Sequence, residues 1–441
     1  MYDLQRFVNK VPTRDRATKR GELSRVHRLF RSGRTTLVLA GALSLSLVAA
    51  TATPSSAASK KSPIIIGYIS NLTGVASSTF TDGAGGAQAI IDQQNAAGGI
   101  DGHPLKLIVK DDTSSLTTDA TDAQELVSDG ATVVIDYSAF GFSGAPYLQK
   151  AGIPVVGSGF DGPEWLEAPY TNMFTWSEPT SEVNGTDYAY GIYGQFLKDL
   201  GVTSFGGLGY GISPSSTNSI FEAEASASKF GIKTCYTDNT VPFGSTDFTA
   251  DALSIKSSNC GAVAGSFVAD SDLALANALK QAGLSSVKGL FFTGYDAAAQ
   301  APNAAPEFNG DYVQAAVNFN PPNAAASALL KTLKKYDPSY HGGVPDFGLL
   351  GSAISAQLAV YGLKLDGPTP TPAGIIKALH KVTSYNDGGL LPTSFSFAHA
   401  GSTKIFPKSI CVYFEKLQGT KWVEYSGKPV CGSLFSLSAP S

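Results

Sequence analysis

The stretch from Ile64 to Asp112 constrains this chain more than any other. Ile64–Ser70 (IIIGYIS) is a short apolar run that ends in a turn-rich loop, NLTGVASSTFTDG. Ala84–Asn95 then places Ala87, Ile90 and Ile91 at helical spacing. After AAGGIDGHP a second apolar run, Leu105–Val109, leads into Asp111 and Asp112. Strand, helix and strand within about fifty residues predict a parallel βαβ unit with a right-handed crossover. Loops leaving the carboxyl ends of such strands are where open α/β sheets hold ligands. The opening segment therefore predicts a scaffold for a small molecule.

The same alternation continues. Helices are predicted over 117–129 and 144–151, with strands at Thr132–Ile135 and Pro154–Val156. Phe174–Gly185 is polar and turn-rich and reads as a first crossing between lobes. A second α/β unit follows, with helices at 186–200, 216–230, 248–257 and 272–282. Its strands are Ser204–Gly209, Ile232–Tyr236, Ala262–Phe267, Gly289–Thr293 and Tyr312–Val317. A second crossing is placed near Asn318–Asn323. Helices at 324–336, 349–365 and 372–382 return to the first unit. From Leu390 the texture becomes short strands and turns, including Ser409–Lys416 and Thr420–Tyr425, which read as a terminal hairpin rejoining the second unit. The fold class expected is α/β: two doubly wound parallel-sheet lobes joined by a multi-strand hinge. Lobe one takes 62–180 plus 320–400 and lobe two takes 181–319 plus 401–441.

At 441 residues the chain is long enough for two such lobes, and 43% hydrophobic against 15% charged residues can fill their cores. Charge is unevenly placed. Residues 1–34 hold ten Lys/Arg against three Asp/Glu, which leaves 22 basic against 33 acidic residues in the remainder. An acidic body lacks the basic footprint that nucleic acid requires. The basic start precedes Leu37–Ala50, LVLAGALSLSLVAA, which is shorter than the ~20 residues of a spanning helix. Residues 1–58 therefore read as a basic n-region and secretory signal peptide, with cleavage after Ala52 or Ala58. The n-region is long enough that the translation start is expected downstream. No cysteine precedes Cys235, so no N-terminal lipid site is offered. The product is expected to be secreted or extracytoplasmic. Four cysteines suit an oxidising compartment, and of the three possible connectivities the local one is favoured: Cys235 with Cys260, and Cys411 with Cys431.

Enzyme signatures give little. The phosphate-loop, HExxH, GxSxG and CxxC patterns are absent, and Gly141-Phe-Ser-Gly-Ala145 lacks the final glycine of a nucleophile elbow. No catalytic residue, metal site or cofactor is expected. Two loops at strand ends are better candidates. Asp136-Tyr-Ser-Ala-Phe140 and Gly157-Ser-Gly-Phe-Asp-Gly162 are rich in small residues whose N–H groups and hydroxyls can cradle an anionic group. Each is equally readable as an ordinary βα turn. In the second unit Phe267 and Gly294-Tyr-Asp296 lie at strand ends, as does Tyr210. In the first loop Thr73 and Phe80 face the predicted cleft.

The pattern IxIGxxxxLTG, followed by NAAGGIDGHPLKLIVKDD, resembles the opening of type I periplasmic solute-binding proteins. It is similar in particular to their leucine/isoleucine/valine-binding branch, which serves ATP-driven importers. The resemblance extends more loosely to about Glu424. It implies that a ligand carboxylate meets a serine at Ser138 and a main-chain N–H near Gly159. The family's threonine position falls on Asp161, with Ser158 as a substitute. It further implies an aromatic at Phe267, a carboxylate for the ligand's ammonium at Asp296, and a wall contribution from Tyr295. Together these readings give a two-lobed solute-binding protein that closes on a small amino-acid-like or amide-like molecule and presents it to the permease of an ABC importer. The expected partners are that ligand and permease, not nucleic acid, with the protein acting as a monomer. The alternatives are a soluble sensor of the same fold or an exported hydrolase.

Overall fold

The computed structural model describes residues 61–179, 188–293, 295, 308–405, 407–419 and 421–437. The signal segment read at 1–58, Gly294 and Asp296 lie outside the described residues.

Two sheets organise the chain. The first has five strands, β1 (Ile64–Ser70), β2 (Leu105–Asp111), β3 (Val133–Asp136), β4 (Val155–Gly157) and β5 (Met173–Thr175), in the order β2-β1-β3-β4-β5. Every neighbouring pair is parallel. Because successive side chains point to opposite faces, this sheet feeds two cores. Ile66, Tyr68, Val133, Ile135 and Val156 pack on one side with Ile90 and Ile91 of helix Gly83–Ala96 and with helix Phe347–Asp366. Ile69, Val134, Val155 and Met173 pack on the other with Ala123 and Leu126 of helix Leu116–Ser128 and Leu148 of helix Ala145–Ala151. Covering both faces explains why these strands are continuous apolar runs.

The second sheet comprises β6 (Tyr188–Tyr190), β7 (Ser204–Tyr210), β8 (Lys233–Val241), β9 (Ala262–Ser266), β10 (Lys288–Phe291), β11 (Tyr312–Ala315), β12 (Ser409–Gln418), β13 (Lys421–Glu424) and β14 (Val430–Ser436). Its order is β6-β14-β12-β11-β10-β9-β7-β8, with β13 pairing β12. β8, β7, β9, β10 and β11 run parallel, whereas β12, β14 and β6 are antiparallel to their neighbours. The chain passes between the sheets after β5, after β11 and before β12.

Three details depart from the sequence reading. The helix expected over 186–200 begins only at Ile192, because Tyr188–Tyr190 form β6 and pair with Leu434–Ser436. That partner lies near the other end of the chain, where local periodicity carries no signal. β8 runs on to Val241 beyond the expected Tyr236. It is a half-exposed edge strand whose polar residues give no apolar run. β5 occupies Met173–Thr175, at the start of the segment read as a crossing.

Helix Phe347–Asp366 is long and apolar enough to cross a membrane, yet 78% of its apolar window is buried in the protein. It serves as a central core helix, capped by Asp346, whose side chain accepts from Leu349 N. It runs against helix Gly83–Ala96 with backbone nearly touching, since a Cβ built at Gly86 would lie 2.2 Å from the Leu349 carbonyl oxygen.

Both disulfides form in the favoured pairing and belong to the second sheet. Cys235 on β8 joins Cys260 just before β9, and Cys411 on β12 joins its cross-strand partner Cys431 on β14. With sequence separations of 25 and 20 residues, each is expected to contribute about 3 kcal/mol by restricting the unfolded chain. Reduction should accordingly lower the midpoint of guanidinium unfolding and, by letting the unfolded chain expand, steepen its slope. Unchanged midpoints for the Cys→Ser double variants would contradict this.

Candidate ligand-binding site

Between the two sheets lies a cavity of about 220 Å³, walled by side chains from both. From the first sheet's side, Phe80 ends the short helix Ser77–Phe80, Tyr137 and Phe160 sit in the loops after β3 and β4, and Phe347 begins the central helix. Their rings form one cluster. Phe80 lies 5.8 Å from Tyr137, 6.1 Å from Phe160 and 5.8 Å from Phe347, and Tyr137 lies 5.4 Å from Phe160. From the second sheet's side come Tyr210 at the end of β7, Phe267 after β9, Phe243 and Tyr295. The Tyr210 ring is 4.9 Å from Phe243 and 4.6 Å from Phe267.

The lobes also touch directly. The Thr79 hydroxyl accepts a hydrogen bond of 2.8 Å from Ala269 N, in the first turn of helix Ala269–Gln281. Phe140 meets Phe243 at 5.2 Å, and Phe347 N donates to the Tyr295 carbonyl at 3.2 Å.

Of the residues singled out from sequence, Phe80, Ser158, Tyr210, Phe267 and Tyr295 line this cavity. Asp296 lies outside the described residues, and Ser138, Gly159, Thr73 and Asp161 are not on this wall. Ser138 is buried, donates to Asp112 Oδ2 and accepts from Phe140 N at 2.9 Å, within a network that includes Asn71. Gly159 N–H donates to Thr175 Oγ1 at 2.7 Å and to Ser177 Oγ at 3.1 Å. Thr73 is tied through N and Oγ1 to Asp111 on the exposed side of its loop. Asp161 accepts from Trp165 Nε1 at 2.6 Å and is buried beneath the loop. It belongs to a nest of acids with Asp119, Asp136 and Glu164. Burial and the nearby Glu164 charge push the Asp161 carboxyl well above the usual carboxylate range.

Sequence reasoning missed Tyr137 and Phe160, each immediately beside a named residue. It also missed Trp176, Glu178, Tyr193 and Glu222. Glu222 carried a readable signal. On helix Pro214–Lys229, Glu222 is buried while its neighbour Phe221 is 39% exposed. A helix that exposes phenylalanine and buries glutamate inverts the usual apolar stripe, and such an inversion marks a polar demand on the inner face.

The charges of the wall are one-sided. Among the described residues its carboxylic acids are Glu178 and Glu222, and no Lys, Arg or His lines it. Glu178 Oε1 is shielded from solvent and has no hydrogen-bond partner. Burial, then the charge of Glu222, push the Glu178 carboxyl well above its ordinary value. The Tyr193 hydroxyl, bonded to Gln314 Oε1 at 2.5 Å, is raised first by burial and then by the same two glutamates. The site can therefore wrap an apolar body in aromatic rings and offer negative charge to it.

A model of the family described as periplasmic binding protein matches residues 63–406. The chain belongs to that family. Solved structures of similar fold agree. A branched-chain amino acid ABC transporter protein from Thermus thermophilus with bound valine superposes with a TM-score of 0.68 at 14% identity, covering 84% of this chain and 96% of that one. A solute-binding protein from R. palustris in complex with benzoate gives 0.67 at 17% identity, with 84% and 97% covered. A fatty acid ABC transporter substrate-binding protein from Thermomonospora curvata gives 0.67 at 16% identity, with 82% and 92% covered. No curated protein sequence matches the chain. At these identities the likeness establishes a shared type I periplasmic binding protein fold, with two lobes, and no particular ligand.

Proposed function

We propose that this protein is an extracytoplasmic solute-binding protein that captures a small, amine- or amide-bearing metabolite between its lobes and delivers it unchanged to the permease of an ABC importer. The lobes are those formed by residues 62–180 with 320–400 and by 181–319 with 401–441. The supporting observation is the aromatic-lined cavity, to which both sheets contribute side chains. A ligand there touches both lobes only when they are together, so binding favours the closed form. The reading is capture by a monomer, without chemical change.

A thermal-shift screen of metabolites tests it. A binder at one hundred times its dissociation constant adds about 2.7 kcal/mol to folding stability, a rise easily read in melting temperature. Phe160→Ala, which strips one ring from the cluster, should weaken that binder about tenfold, or ~1.4 kcal/mol. If no metabolite raises the melting temperature, or if scattering detects no compaction on binding, the reading falls.

A further inference from the structure

The cleft's charge and its hydrogen-bond inventory narrow the ligand class further. We infer that the cleft selects an organic cation: an ammonium-bearing molecule with an apolar body and no carboxylate of its own. This rests on the solute-binding function proposed above.

Four observations carry it. First, the described wall carries Glu178 and Glu222 and no basic side chain. Among the described residues, no cation of this chain's own lines the cleft for an anionic ligand. Second, several donors at the strand and helix ends beside the cleft are used internally. Ser138 donates to Asp112, and Gly159 N–H to Thr175 and Ser177. In the second lobe, Ser216 donates to the Ser266 carbonyl and Ser219 to the Ser215 carbonyl. Third, Glu178 Oε1 is shielded and unpartnered, and a buried carboxylate oxygen calls for a donor or a positive charge. Fourth, the aromatic faces that enclose the space attract cations through their ring quadrupoles, most effectively where water is excluded. An amino acid would bring a carboxylate beside Glu178 and Glu222, opposing the ionised form that its ammonium needs. A bare ammonium would settle between the glutamates and the rings.

Burial holds the Glu178 carboxyl in its protonated form well past its ordinary range. An arriving cation favours the ionised form and must therefore expel a proton. This gives a readout that packing alone would not produce.

The test is isothermal calorimetry on the intact oxidised protein at pH 7. Three cations (phenethylamine, choline and butane-1,4-diamine) are compared with the zwitterions L-phenylalanine and L-leucine and with benzoate, each in two buffers of different ionisation heat. The expected result is that a cation binds at least tenfold more tightly than any zwitterion or anion, with proton release. Glu178→Gln should weaken that cation at least tenfold and abolish the release. Glu222→Gln should weaken it comparably while circular dichroism confirms folding. If leucine, phenylalanine or benzoate binds as tightly as the best cation, the cation assignment is overturned while solute binding stands. If no compound of any of the three charge classes binds, both are overturned.

Discussion

Raising the pH from 5 to 7 should lower the stability of this protein by about 3 kcal/mol from Asp119 alone, with further loss from its neighbours. Under the loop that follows β4, Asp119, Asp136, Asp161 and Glu164 are all buried. Among the described residues Asp136 meets only the Ser138 backbone N–H, and Asp161 and Glu164 face each other within hydrogen-bonding reach. The cause of their proton affinity is first burial, which penalises the ionised form, and then mutual repulsion. Asp119 is pushed up to about 8 and Glu164 to about 7, and Asp136 rises well above its ordinary value, with Asp119 and Asp161 as its chief charged neighbours.

The direction follows from proton counting. Between the ordinary carboxylate range and these raised values, the folded chain keeps protons that the unfolded chain has released. Stability then falls as pH rises, by about 1.4 kcal/mol per pH unit for each such proton. It is fully retained below about pH 4 and lost progressively toward pH 8. Chemical denaturation at pH 5, 6, 7 and 8 measures this. Asp136→Asn should flatten the dependence and stabilise the protein at pH 8, because it removes a charge that the other acids oppose. A midpoint independent of pH across this range would refute the account.

Gly86→Ala should destabilise the first lobe by about 1–3 kcal/mol, the usual cost of overpacking a core. The sign is notable because propensity argues the other way: alanine in a helix interior is favoured over glycine by about 1 kcal/mol. Here the new methyl meets the Leu349 backbone carbonyl at 2.2 Å, and backbone on a buried helix cannot swing aside. Gly85→Ala is the comparison. Its nearest neighbour is the Asp337 carboxylate at 2.8 Å, a side-chain tip held by Ser339 N and Oγ and not a helix backbone, so the cost should be smaller. Thermal or denaturant unfolding of both variants separates sterics from propensity. Equal effects, or stabilisation by Gly86→Ala, would show that the two helices can part at no cost.

How much of this was legible in the chain differs by level. The βαβ opening was plain because strands buried on both faces must be apolar throughout, and because helix Gly83–Ala96 repeats its apolar residues on one side. The type I fold followed from that opening together with NAAGGIDG. β6 was not legible, since its only partner is β14, more than two hundred residues away. The site was half legible. Phe80, Ser158, Tyr210, Phe267 and Tyr295 were placed at strand ends or in the opening loop and do line the cavity. Ser138 and Gly159 lie one residue from wall positions, and which of two adjacent loop residues points inward is set by loop conformation, not by residue type. Glu178 follows β5 in a segment that read only as polar. Glu222 was hidden by the assumption that a buried helix face is apolar, although exposed Phe221 beside it marked the exception.

Residues 347–366 bear on how the molecule is made. The first sheet is complete by Thr175, yet the helix that seals one of its faces begins only at Phe347. During synthesis from the amino end, helix Gly83–Ala96 covers only part of that oily surface while the entire intervening unit is produced. Early assembly is thus at risk from aggregation, and long-range closure of this kind is slow. A fragment cut before Phe347 would be sticky and insoluble, however sound its strands.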